Sequence, residues 1–116
     1  MGFSRIQADV ERFVSERDWL EYQDPKNLSM SIAIEAAELM ELFQWQKSEP
    51  AEKLKANGRL VSRVREEVAD VCIYCMSLAN RFGFDLDEAI EEKLKRNRER
   101  FPIEEVKGKA RNYLDD

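Results

Sequence analysis

Ser31-Ile-Ala-Ile-Glu35-Ala-Ala-Glu38-Leu-Met40 is a largely apolar run interrupted by two acids three residues apart. A second run, Val68-Ala-Asp70-Val-Cys72-Ile-Tyr74-Cys75, follows directly on Glu67 and places Asp70 three residues beyond it. Both runs otherwise have the composition of buried helix. An ionised carboxylate on an apolar helix face carries a heavy desolvation cost unless a cation or donors compensate it. Residues three apart on a helix project from one face, so Glu35 with Glu38 and Glu67 with Asp70 each form a two-pronged ligand that two antiparallel helices can bring together. Four converging carboxylates call for a missing positive charge, and oxygen-only ligands suit a hard divalent cation, Mg²⁺ first with Mn²⁺ as a substitute. Most Glu-x-x-Glu strings are solvated faces paired with lysine or arginine, which fits Glu91 and Glu92 with Lys95 and Arg96 four residues on. Along its own helix Glu35 has no such partner within a turn or two.

Outward from these runs the pattern is helical throughout, and the expected class is all-α. Phe3, Ile6, Val10, Phe13, Val14 and Leu20 recur at helical spacing and predict a first amphipathic helix from about Phe3 to Glu21. Pro25 turns the chain, and Asn27 or Ser29 is expected to cap a second helix running to about Gln46. Its apolar residues go almost all the way round, which predicts burial in an oligomer. Ala51 to Asn57 reads as a short helix closed by Gly58. A longer helix from about Leu60 to Arg81 is ended by Gly83. Asp85-Leu-Asp-Glu88 then has the cap and third-position acid of a helix start, and Pro102 stops that last helix. The expected organisation is one domain over residues 1–102, with residues 103–116 as a charged arm or partly disordered end.

Composition excludes several function classes. The chain has 116 residues, 43% hydrophobic and 37% charged, which suits one domain of long amphipathic helices. Mean hydropathy is −0.62 and no apolar run reaches spanning length, so a membrane role is not expected. The N-terminal residues lack the basic start and apolar stretch of a secretory signal, which predicts a cytoplasmic protein. A net charge of −5 disfavours a nucleic-acid polymer as partner while leaving room for a single nucleotide. With no histidine, zinc hydrolase sites built on imidazole and the Glu-x-x-His di-iron pattern are excluded. Cys72 and Cys75 fall within a helical run and are expected to be buried core thiols.

Lys93, Asn97 and Arg100 follow one face of the last helix with Arg96 beside them, offering donors to anionic oxygens. Ordinary solubilising charge explains any one of these residues equally well. Trp19, Trp45 and Tyr74 are candidates to stack a nucleobase, with core or interface packing as the competing reading.

These residues, together with Glu16-Arg-Asp-Trp19, Pro25-Lys-Asn-Leu28, Glu35-Ala-Ala-Glu38, Glu41-Leu-Phe-Gln-Trp45, Glu66-Glu-Val-Ala-Asp70-Val and Lys93-Leu-Lys-Arg-Asn97-Arg, give a resemblance from about Ile6 to Pro102. The chain resembles the all-α nucleoside triphosphate pyrophosphohydrolases of the MazG type, and among them the small dCTP pyrophosphatase branch. The resemblance implies a MazG-like helical bundle assembled as a dimer of dimers, a homotetramer, with Mg²⁺ held by Glu35, Glu38, Glu67 and Asp70. It implies hydrolysis of a nucleoside triphosphate between the α and β phosphates, with dCTP or modified dCTP the leading substrates and nucleotide-pool cleansing the use. Residues matching Trp19, Trp45 and Tyr74 help form the nucleotide pocket in that family, and those matching Lys93 and Asn97 contact phosphate or sugar. Glu38 is the expected general base, since a residue bridging metal and water has the required reach. Val10 stands where the animal branch has histidine, and Phe101 where it has tyrosine, so the resemblance carries further for the chemistry than for base selectivity. Two other classes stay open at this point: a related all-α dUTPase or phosphoribosyl-ATP pyrophosphohydrolase, and a noncatalytic helical assembly protein.

Overall fold

Helix starts and stops follow local turn chemistry, and in four places that chemistry differs from the pattern expected above. The computed structural model describes residues 2–109, all helix, turn and loop with no strand among them. Helix α1 (Phe3–Glu16) ends five residues before the expected Glu21. Asp18 adopts φ 54°, a left-handed conformation that aspartate tolerates better than most residues. The Trp19 N–H then turns back to the Val14 carbonyl at 3.1 Å, and a 3₁₀ turn covers Leu20–Tyr22.

Helix α2 (Pro25–Glu41) is capped by Asp24, whose carboxylate accepts the Asn27 N–H at 2.8 Å, and not by Asn27 or Ser29. Pro25 occupies the first turn, where its missing N–H costs nothing. The α2 ladder stops at Glu41 instead of Gln46, because the following N–H groups bond three residues back, Phe43 to Met40 at 3.0 Å and Gln46 to Phe43 at 3.1 Å. Helix α3 (Ala51–Leu54) is a single turn. Gly58 does not close it. Gly58 opens helix α4 (Gly58–Phe82), whose cap is Asn57, accepting the Leu60 N–H at 3.2 Å. Gly83 ends α4 as expected, at φ 73°.

Helix α4 is the central element of residues 1–86, packed against both α2 and α1. Val10 and Val14 from α1, Leu28 from α2 and Met76 and Ala79 from α4 form the buried core, with Leu28 only 1% exposed. Gln7, on the same face of α1 as Val10 and Val14, is a buried amide with every donor and acceptor engaged. Its Nε2 donates to Asn80 Oδ1 at 2.9 Å and to the Phe84 carbonyl at 3.0 Å. Its Oε1 accepts the Leu86 N–H at 2.9 Å, and its carbonyl accepts Asn80 Nδ2 at 3.2 Å. Nearby, Arg81 pairs with Glu11.

This core is small, and much of the apolar surface that the sequence marks as buried is open. On α2, Ile34 is 56% and Met40 71% exposed. The cysteines also depart from expectation: Cys72 is exposed and Cys75 half-buried, both as free thiols. Burial, and then the neighbouring Cys72, push the Cys75 thiol up from its ordinary value.

The residues from Asp87 onward form a second compact unit. It consists of most of helix α5 (Leu86–Arg100), the Pro102 stop, and a single-turn helix α6 (Ile103–Val106) within the segment expected to be an arm. Residues 110–116 of that segment lie outside the described residues. No described helix is long and apolar enough to cross a membrane.

Candidate metal centre

The packing of α2 on α4 brings Glu35, Glu38 and Glu67 together, with one oxygen from each lying within 4.8 Å of the others. Glu35 and Glu67 are half-buried and Glu38 is exposed, so the cluster sits at the edge of the helix pair with one side open to solvent. Glu35 Oε2 and Glu67 Oε2 are shielded from solvent and accept no hydrogen bond. Shielded acceptors without donors are rare in folded proteins, and here they mark where a cation would complete the structure.

The electrostatics agree with the geometry. Burial, then the Glu38 carboxylate through a shared proton and through its charge, push Glu35 up to about 7, with Asp70 and Glu67 adding to the effect. Burial and then Glu38 also raise Glu67, with the Asp70 charge contributing and the proximity of Glu35 acting in the opposite direction. These are carboxylates held close without a compensating charge. A hard divalent cation fits this donor set, since all ligands are oxygen and the exposed Glu38 side leaves room for water and phosphate oxygens.

Asp70, the fourth expected ligand, lies one turn beyond Glu67 and is half-buried. Its charge reaches both Glu35 and Glu67, but the trio with mutually close oxygens does not include it. The aromatic candidates are not among the residues lining the groove or the carboxylate trio. Trp19 packs edge-on against Phe13, ring centroids 5.8 Å apart, and Arg17 lies 3.9 Å over the Phe13 ring. Trp45 is 89% exposed in the turns after α2, and Tyr74 is half-buried on α4. Lys93, exposed, and Asn97, half-buried, belong to α5 in the second unit.

An open groove of about 680 Å³ runs from the cluster along the first half of α4. Glu38 and Glu67 line it, and so do Glu41, Asn57, Arg59 and Arg63. The two arginines are the site residues that the sequence reading missed. Cations were sought beside Glu35 on its own helix, whereas Arg63 is one turn from Glu67 on α4 and Arg59 one turn before that. The four-residue spacing Arg59, Arg63, Glu67 was the available signal.

The profile of the MazG-like family matches residues 30–115, and the chain belongs to that family. A dCTP pyrophosphatase 1 from Bos taurus is 37% identical over 111 residues, covering 96% of this chain and 64% of that protein. The dCTP pyrophosphatase 1 of Homo sapiens is 35% identical over the same shares. The chain therefore spans less than two thirds of the length of these relatives. Among solved structures, a pyrophosphatase from Archaeoglobus fulgidus superposes with a TM-score of 0.74 at 38% identity, covering 84% of this chain and 90% of that one.

Proposed function

We propose that this protein hydrolyses nucleoside triphosphates between the α and β phosphates in a Mg²⁺-dependent reaction, with dCTP or a modified dCTP as leading substrate. The observation that carries this reading is the trio Glu35, Glu38 and Glu67, with two shielded, donor-less oxygens beside an open groove of nucleotide scale. The pyrophosphatase names of its relatives support the bond type, and the dCTP pyrophosphatases support the base.

In this reading Glu35, Glu38, Glu67 and Asp70 hold Mg²⁺, with Mn²⁺ as a substitute. When bound, the metal offsets charge on the triphosphate and positions its oxygens for in-line displacement. Glu38, exposed at the groove edge, accepts the proton of the attacking water. The water oxygen bonds to the α-phosphorus, the bond from that phosphorus to the bridging oxygen breaks, and its electron pair leaves with pyrophosphate. Trp19, Trp45 and Tyr74 stack or bound the base, and Lys93 and Asn97 contact phosphate or sugar. The exposed apolar faces of α2 and α4, including Ile34, Met40, Val68 and Ile73, are the surfaces that a homotetramer of paired dimers would cover. Residues 1–102 are the functional domain in this proposal, 103–116 the arm, and cytoplasmic cleansing of the nucleotide pool the role.

The test is a screen of canonical and modified nucleotides with Mg²⁺ or Mn²⁺, with monophosphate and pyrophosphate resolved by chromatography. Metal-dependent release of both products from a deoxycytidine triphosphate is the expected result. Release of orthophosphate instead would reject cleavage between the α and β phosphates, and no turnover with either metal would reject the reading and favour a noncatalytic assembly.

A further inference from the structure

Arg59 and Arg63 lie in the groove that holds Glu38 and Glu67, and among the described residues neither has a salt bridge or a side-chain hydrogen bond. This is unexpected for guanidinium groups in such company. Arg63 precedes Glu67 by four residues, and Glu41 lines the same groove, yet no pair forms. Helical geometry gives part of the reason, since a cation four residues before an acid is the weaker orientation of that pair. The outcome is a groove with carboxylates at one end and two unengaged planar cations along one wall.

We propose that Arg63, supported by Arg59, binds the β and γ phosphates of the substrate and so makes a triphosphate tail a requirement of this site. The inference rests on the nucleotide reading above. A metal held by the carboxylates serves the phosphates next to it, whereas the tail beyond carries charge that needs its own partners. With a rise of about 1.5 Å per residue, Arg63 and Arg59 are anchored roughly 6 and 12 Å along α4 from Glu67. Their long side chains therefore sample the groove just past the carboxylate end. A guanidinium fork matches phosphate oxygens two at a time and keeps its charge at any working pH. The wall also contains the start of α4, where the Asn57 side chain and the first helical N–H groups give an environment favourable to anions. During bond cleavage the leaving pyrophosphate gains charge, so a cation at this place holds the leaving group more tightly than the intact ester.

Calorimetry on the full chain with Mg²⁺ present, titrating inorganic pyrophosphate, inorganic tripolyphosphate and dCMP, tests this without relying on turnover. Arg63→Ala should weaken pyrophosphate and tripolyphosphate about 10- to 100-fold, the size of a lost charge-assisted pair. Its dCMP binding should stay within about twofold. Arg63→Lys should recover only part of the loss, because a point charge replaces a fork. Arg59→Ala should cost less than Arg63→Ala. Arg63→Gln serves as a second neutral variant should Arg63→Ala melt early. Equal pyrophosphate affinity in wild type and either neutral variant would overturn the proposal, as would a wild type that binds no pyrophosphate or a dCMP loss as large as the pyrophosphate loss. Arginine-dependent pyrophosphate binding by a protein that hydrolyses no nucleotide would instead sink the catalytic reading and leave this site standing.

Discussion

Replacing Glu35 by glutamine should stabilise the metal-free protein at pH 8 and reverse its rank once Mg²⁺ is added. Glu35 is held at about 7, above its ordinary 4.5, so it is charged at pH 8 and mostly protonated below pH 6. A carboxyl raised in the folded state means that the folded protein binds more protons than the unfolded chain between those values. Stability from this group is therefore greatest at low pH and falls as pH rises through about 7. At 4.8 Å, the outer limit of the oxygen separation in the trio, the repulsion between the Glu35 and Glu38 charges in a water-like medium is about 1 kcal/mol. The water-like value is a lower bound, since the cluster is open to solvent on one side while Glu35 Oε2 is shielded. For a domain of this size that corresponds to a rise in Tm of about 4 °C. Glutamine should give that rise at pH 8 without metal and almost none at pH 5.5, where wild type already carries the proton. With Mg²⁺ at about a hundred times its dissociation constant, wild type should gain about 2.7 kcal/mol. The variant, having lost a charged ligand, should gain clearly less and should lose most turnover. Thermal melts at the two pH values, each with EDTA and with Mg²⁺, read all four corners. Equal destabilisation by glutamine at both pH values, or an equal Mg²⁺ gain in both proteins, would refute the reasoning.

Three other outcomes are expected. Leu28→Ala should cost about 2–4 kcal/mol in chemical denaturation, because the only large side chain fully buried among the described residues would leave a cavity between α2 and its neighbours. Trp45→Ala should change monomer stability by less than about 0.5 kcal/mol, given its exposure. It should raise KM for the preferred nucleotide more than for inorganic tripolyphosphate; an equal effect on both would remove the indole from base recognition. Light scattering across micromolar concentrations should give the mass of a tetramer, and a stable monomer would leave the open faces of α2 and α4 unexplained.

The all-helical class was legible because periodicity and turn residues agree along the chain, and Gly83 and Pro102 punctuate it as read, whereas Pro25 opens α2 instead of preceding it. The carboxylate cluster was legible because acids without cationic partners stand out in an apolar run. The errors fell where local competition decided the end of an element. Asp24 outcompeted Asn27 and Ser29 for the α2 cap because it sits directly before the proline, and a left-handed Asp18 broke a helix that hydrophobic spacing alone continued to Glu21. Burial was overread for Cys72 and for the α2 face, since helical pattern shows which residues are apolar but not how many chains cover them. Arg59 and Arg63 were missed for a related reason. Their spacing to Glu67 on α4 was readable, but that they share a groove with Glu38 follows only from the packing of α2 on α4.

The Gln7 clasp has a consequence for how α4 responds to its surroundings. All of its bonds join uncharged groups, so neither proton nor salt concentration alters their strength, whereas the Glu67 region responds to both. The C-terminal end of the long helix is thus a fixed anchor and the turn around Glu67 a tunable one. Amide hydrogens around Asn80 to Leu86 should exchange at a rate indifferent to metal and buffer, while those flanking Glu67 slow when the acids are neutralised. Metal binding at the acids would then tighten α2 against α4 locally without transmitting strain to the α1 contact, leaving the α1 face of α4 as a constant frame with or without the ion.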